Sequence, residues 1–311
     1  MRPSPLTWMA LAAAALALPI AADESLVSRR YLVRFPPSLR LQAEAVAAEA
    51  DPLTERLGRE LGVEPGARRE IVLTDSSEGF DTAVGAPQPG WVVGVAQPSR
   101  NRLVLRQGSV KGLRRVTRHE VAHLLVGQAL GETDALAPRW LHEGAAKYFG
   151  GDWTPADRAA LAEGAKGGRL PTLDELVDFP ANPEQSAVAY AESYALVEYL
   201  VSLHPTRSLA PFLEEFRHTG DARRALARTY RLSPEEVEAG WHAAMAEKVR
   251  AAPVSIAVES TLFLLLVLVF LFAYLRVRRR SLEIKRRMAE DELLDRLFEE
   301  TRRREAEGGQ R

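Results

Sequence analysis

His119-Glu120-Val121-Ala122-His123 lies within a run, Leu113 to Leu130, whose apolar spacing predicts one amphipathic helix. In a helix, two histidines four residues apart leave the same face, one turn above the other. That spacing can hold one tetrahedral metal ion between two imidazoles. Glu120 follows the first histidine directly, so it projects beside such an ion rather than onto it. There a carboxylate could take a proton from a metal-activated water. A solvated helix face can carry the same five-residue pattern, so the decisive support has to come from further along the chain.

A catalytic zinc site usually has three protein ligands and one open position. Pro138-Arg139-Trp140-Leu141-His142-Glu143-Gly144-Ala145-Ala146-Lys147-Tyr148-Phe149 supplies a third donor, with nineteen residues between His123 and Glu143. That interval lets one helix end, a loop turn and a second helix pack back, with Gly127, Gly131 and Pro138 as punctuation. Trp140, Leu141, Ala145 and Tyr148 keep a buried helical spacing, and Glu143 is the acidic residue among them. A carboxylate in apolar surroundings is costly unless something pairs with it, and a zinc ion would. His142 points about 100° away from Glu143 on a helix and is expected to be partly exposed rather than a ligand.

H-E-x-x-H followed by W-L-x-E-G-x-A-x-Y-F resembles the gluzincin metallopeptidases, as in aminopeptidase N-like and thermolysin-like enzymes. The resemblance implies that His119, His123 and Glu143 bind zinc and that Glu120 is the general base. A third run, Ala189-Tyr190-Ala191-Glu192-Ser193-Tyr194-Ala195-Leu196-Val197-Glu198-Tyr199-Leu200, resembles the helix that carries the transition-state tyrosine of the aminopeptidase N-like enzymes. By that match Tyr190 is the catalytic hydroxyl, donating to the oxyanion built by water attack, and Tyr194 falls on a buried aromatic position. All three tyrosines of the run can also be read as core aromatics, with Tyr194 as the second choice for the hydroxyl. The segment that binds a free amino terminus in those enzymes has no counterpart. Gly90-Trp91-Val92-Val93-Gly94-Val95-Ala96-Gln97-Pro98-Ser99 contains no Glu and no Met, so aminopeptidase specificity is not expected. In size and layout the chain is most similar to the compact "peptidase MA-like" group, over roughly Tyr31 to Ala246.

The 311 residues are 46% hydrophobic and 27% charged, ordinary for a globular domain of about 200 residues with extensions. A net charge of −1 gives no basic surplus for nucleic acid. The absence of cysteine excludes disulfides, thiolate metal ligands and a cysteine nucleophile.

Two apolar segments stand outside the fold. Residues 1–22 read as a secretory signal peptide cut near Ala22, or as an uncleaved anchor because Ile20 is not small. Residues 254–275 are apolar on every side through their centre and, at about 1.5 Å per residue, are long enough for a bilayer. Between 276 and 288, seven basic residues face only Glu283, which puts this end in the cytoplasm. The catalytic domain is then extracytoplasmic (periplasmic or extracellular), anchored by one pass. The tail, 276–311, reads as a helix able to self-associate or lie on the membrane, or as a solvated extension.

The expected class is α+β: a small mixed β-sheet subdomain, 23–112, packed on a mostly helical zincin-type subdomain, 113–250, followed by a single transmembrane helix. Tyr31–Phe35, Glu70–Thr74, 91–96 and 102–105 read as strands, with 91–97 expected at the sheet edge. Ser38–Gly62 reads as a helix with a kink or boundary at Pro52, and Asp75–Pro89 as loop. Thr172 reads as the N-cap of a short helix, and further helices are expected at 186–203, 207–218, 220–229 and 234–250. The function expected is a membrane-anchored zinc metallopeptidase acting on a peptide or protein substrate. The alternative is a catalytically inactive peptidase-fold scaffold, working through its tail.

Overall fold

The computed structural model describes residues 24–64, 66–166, 170–180, 182–247, 263–278 and 280–281. The expected signal peptide, most of the tail, residues 248–250 of the last helix, and 254–262 of the apolar run lie outside them. The chain divides into two compact units, Met1–Glu247 and Lys248–Arg311.

In the first unit, five strands form one mixed sheet: β1 (Glu24–Val27), β2 (Tyr31–Phe35), β3 (Arg69–Thr74), β4 (Gly94–Gln97) and β5 (Arg102–Arg106). Their order is β1-β2-β3-β5-β4. The inner pairs β2/β3 and β3/β5 are parallel and the outer pairs β1/β2 and β4/β5 antiparallel. Parallel pairing needs a crossover, and α1 (Arg40–Leu61) supplies it between β2 and β3. Tyr31, Val33, Phe35, Ile71, Leu73, Leu103 and Leu105 form the core of the sheet. The edge position expected for 91–97 is occupied by β4, though only from Gly94.

One sequence reading narrows, at Pro52, and two change. Helix α1 runs through Pro52 without a boundary. Pro52 and Ala48, whose carbonyl loses its partner, are both exposed, so water can take the missing bond. Within Asp75–Pro89, α2 (Ser77–Val84) forms a short helix capped by the Ser76 side chain and pinned by one buried residue, Phe80; a single core contact leaves little periodicity to read. Thr172 and Glu175 do exchange capping-box hydrogen bonds, but the chain there makes only turns.

The helical layer begins with α3 (Val110–Leu130), whose Ser109 N-cap accepts from the Gly112 amide. It continues through α4 (Arg139–Gly150), α5 (Pro155–Lys166), α6 (Pro183–Leu203), α7 (Ala210–Thr219), α8 (Ala222–Tyr230) and a helix over 234–247, α9. Helix α5 is not among the helices expected from sequence, although Thr154-Pro155-Ala156-Asp157 carries its start signal: the Thr154 amide donates to the Asp157 carboxylate, and the Asp157 amide to Thr154 Oγ1. Helix α3 packs on α1 and α4, and α4 packs on α6. At the α4–α6 crossing Gly144 faces the Ser193 backbone carbonyl so closely that any Cβ would collide with it.

In the second unit residues 263–278 form a helix, α10, every residue of it exposed. No helix among the described residues is long and apolar enough to cross a membrane.

Candidate metal centre and cleft

Helix α3 brings His119 and His123 to one face, their Nε2 atoms 3.1 Å apart. Helix α4 returns across them and brings Glu143 Oε2 to 3.7 Å from each. One donor atom from each residue lies within 4.8 Å of the others. Two imidazole nitrogens and a carboxylate oxygen converging on one point are the donor set zinc takes, so the residues present fit the ion. Burial opposes ionisation of Glu143, but hydrogen bonds and charge from His119 and His123 hold its carboxyl well below the usual carboxylate range. Burial also opposes charging of His123, and Glu143 outweighs it, raising the imidazole.

On the other side of His119, Asp152 Oδ2 lies 3.9 Å from Nδ1. His119 Nδ1 and Asp152 Oδ1 are both buried without a hydrogen-bond partner. A carboxylate behind the far nitrogen of a ligating histidine fixes its tautomer and orientation, and Asp152 stands nearest to that task.

Glu120 is only 7% exposed and lies against the edge strand. Burial raises its pKa, and the two histidines draw it partly back. The Ala96 backbone amide also favours its charged form. Room for the carboxylate comes from Gly94: a Cβ there would sit 2.7 Å from Glu120 Cγ and Oε1. The backbone of β4 has a readable phase. The Arg106 amide donates to the Val93 carbonyl, so in the register Val95↔Val104 and Gln97↔Arg102 the odd-numbered residues bond to β5. The amides and carbonyls of Gly94 and Ala96 therefore face the open edge.

The centre opens into a cleft of about 880 Å³, lined on the sheet side by Trp91 to Ala96 and on the helical side by Arg139, His142 and Tyr190 among others. Tyr190 is half-buried in its wall and accepts a hydrogen bond from Arg139 Nη2 at 3.3 Å. Tyr194 does not line the cleft; its ring stacks on Trp153, 4.4 Å between centroids. His142 is half-buried and outside the donor cluster, as expected, but it faces the cleft, with Nε2 3.4 Å from Asp134 Oδ1. Arg139 and Asp134 were not singled out from sequence. Arg139 stands one turn before Glu143, a signal available from spacing alone.

A family model described as the Peptidase MA superfamily matches residues 49–247, more than half of the chain and all three site motifs. The chain belongs to the Peptidase MA superfamily. Among solved structures, native yeast LTA4 hydrolase is similar with a TM-score of 0.44 and 15% identity, over 70% of this chain and 37% of that one. This Peptidase MA chain thus spans little more than a third of that enzyme's length. No curated protein matches it. Superfamily membership makes the first unit a metallopeptidase-type domain, and the His119, His123 and Glu143 cluster fits a zinc site.

Proposed function

We propose that the chain is a membrane-anchored zinc metallopeptidase. The observation that carries this reading is the convergence of His119, His123 and Glu143 beside the buried carboxylate of Glu120. When bound, zinc supplies Lewis acidity toward a water and a carbonyl oxygen. Glu120 takes the proton of the attacking water and delivers it to the leaving amine. Tyr190 donates its phenolic hydrogen to the oxyanion that forms on the scissile carbonyl. The peptide lies extended along β4, where the Gly94 amide and carbonyl and the Ala96 carbonyl face a strand-like substrate, the Ala96 amide being taken by Glu120.

Anchoring is supported by the apolar run 254–275, by the exposure of its apolar side chains from Phe263 to Leu275, and by the basic residues that follow. In this reading the catalytic domain is extracytoplasmic, residues 1–22 direct its export, and lipid contacts are made through the single pass.

Metal analysis of the purified full-length protein, with hydrolysis of a mixed peptide pool, tests the proposal. About one zinc per chain is expected, and Glu120→Gln should retain the metal while losing on the order of 10²–10⁴-fold in rate. Absence of stoichiometric zinc, or unchanged hydrolysis by Glu120→Gln, would refute it.

A further inference from the structure

We infer that Arg139 is a positioning residue which sets the direction of the Tyr190 hydroxyl; this rests on the metallopeptidase reading above. Arg139 is the first residue of α4, one turn before Glu143, and its side chain is 39% exposed. Its Nη2 donates to Tyr190 Oη, while Nε lies 4.0 Å from Glu143 Oε1 and Nη1 3.9 Å from Asp178 Oδ1. The guanidinium lies 4.6 Å over the Phe179 ring, and Phe179 meets Tyr190 edge to face, 4.9 Å between centroids. Tyr190 is therefore held by an arginine and a phenylalanine that also hold each other.

The chemistry of the two groups gives this contact a direction. A guanidinium has five N–H donors and no acceptor, whereas a phenol has one O–H and accepts through its oxygen. Arg139 can only donate to Tyr190, so the single phenolic hydrogen cannot be used on Arg139. It remains for an acceptor elsewhere, and the cleft that both residues line holds the oxyanion. A neutral amide or a water in the same place could accept that hydrogen and turn it away from the reaction. The positive charge beside the phenol oxygen also strengthens the O–H as a donor.

The test uses the full-length zinc-loaded protein and a quenched fluorescent peptide chosen because the wild type cleaves it from a random pool. Tyr190→Phe should lower kcat on the order of 10²-fold and Arg139→Met by about tenfold or more, with KM within about twofold and zinc content unchanged. The double variant should be no slower than Tyr190→Phe alone. Arg139→Lys, still donor-only, should recover part of the rate that Arg139→Gln does not. A second readout is independent of turnover. With tyrosines labelled at Cζ, the resonance lost in Tyr190→Phe should shift in Arg139→Met while that of Tyr194 stays. The inference is overturned if the two losses multiply, if Arg139→Met raises KM and spares kcat, as a substrate clamp would, or if the Tyr190 resonance does not move. Unchanged hydrolysis by Glu120→Gln, or no peptide cleaved by the wild type, would instead overturn the metallopeptidase reading and remove this inference with it.

Discussion

Gly94 carries no functional group, yet the position of Glu120 depends on it. A methyl at 94 would lie 2.7 Å from the Glu120 carboxylate and 2.8 Å from Val116 Cγ1. Gly94→Ala should displace the Glu120 carboxylate and, on the proposed mechanism, lower kcat/KM on the order of ten- to a hundredfold, within the range for a compromised general base, with zinc content equal to that of the wild type. Glu192 makes a different residue-level prediction. It is fully buried, neither carboxylate oxygen has a hydrogen-bond partner, and burial pushes its pKa up to about 8. The folded chain keeps this proton where an unfolded one, with a carboxyl near 4.5, has lost it. Stability should therefore fall as pH rises from about 4.5 to about 8 and level off above. Thermal midpoints measured across that window should show the slope, and Glu192→Gln should flatten it. His119, Glu120, His123 and Glu143 are legible because metal chemistry demands fixed residue types at fixed spacings. Gly94 is not, because its role exists only once β4 meets α3; Arg139 is legible only as a neighbour of Glu143 one turn away, since its contact with Tyr190 exists only once α4 meets α6.

Among the elements, α3, α4 and α6 are legible nearly to their ends, since α3 and α4 keep an apolar face over several turns and α6 is a long, mostly apolar run covered on nearly every side from Ala189 to Val201. The short elements were not. Helix α2 rests on one buried phenylalanine, and β1 has only four residues, none of them fully buried. Their formation is decided by neighbours distant in sequence, which outweigh weak local preferences. The α4–α6 crossing is where the helical layer is least tolerant. The Ser193 carbonyl opposes Gly144, and backbone cannot give way as a flexible side chain can. Gly144→Ala should destabilise the domain by roughly 1–3 kcal/mol, typical of overpacking. It should also separate Glu143 from the α3 histidines, so its zinc affinity should fall together with its melting temperature. A variant that melts earlier but binds zinc as tightly as wild type would show the crossing to be unconnected with the centre.

On the scale of the whole molecule, the proposed zinc ligands come from two helices that also close the core of the first unit, so metal occupancy and folding should be linked. Chelation should lower the thermal midpoint and added zinc should restore it in a concentration-dependent way, reaching about 2.7 kcal/mol at a hundredfold excess over Kd. Glu143→Ala should abolish that response. For the second unit, the full-length chain should remain with the membrane fraction after alkaline extraction, and deletion of 254–275 should release it. Release of the intact chain by alkali would argue against a spanning segment.

Along β4 the backbone groups alternate between β5 and the open edge. Along this edge, groups facing outward recur every second residue, so a bound peptide can shift only in steps of two residues, about 6.8 Å for an antiparallel strand. Glu120 stands at one fixed point beside that edge. With a peptide bound as proposed, the strand would act as a ruler with coarse divisions, and the peptide's own main chain would select which of two alternating sets of bonds is presented to Glu120. Side-chain preferences then choose within the set. A single N-methyl group on the substrate should be tolerated at alternate positions and forbidden at those between, a pattern that side-chain recognition alone would not produce.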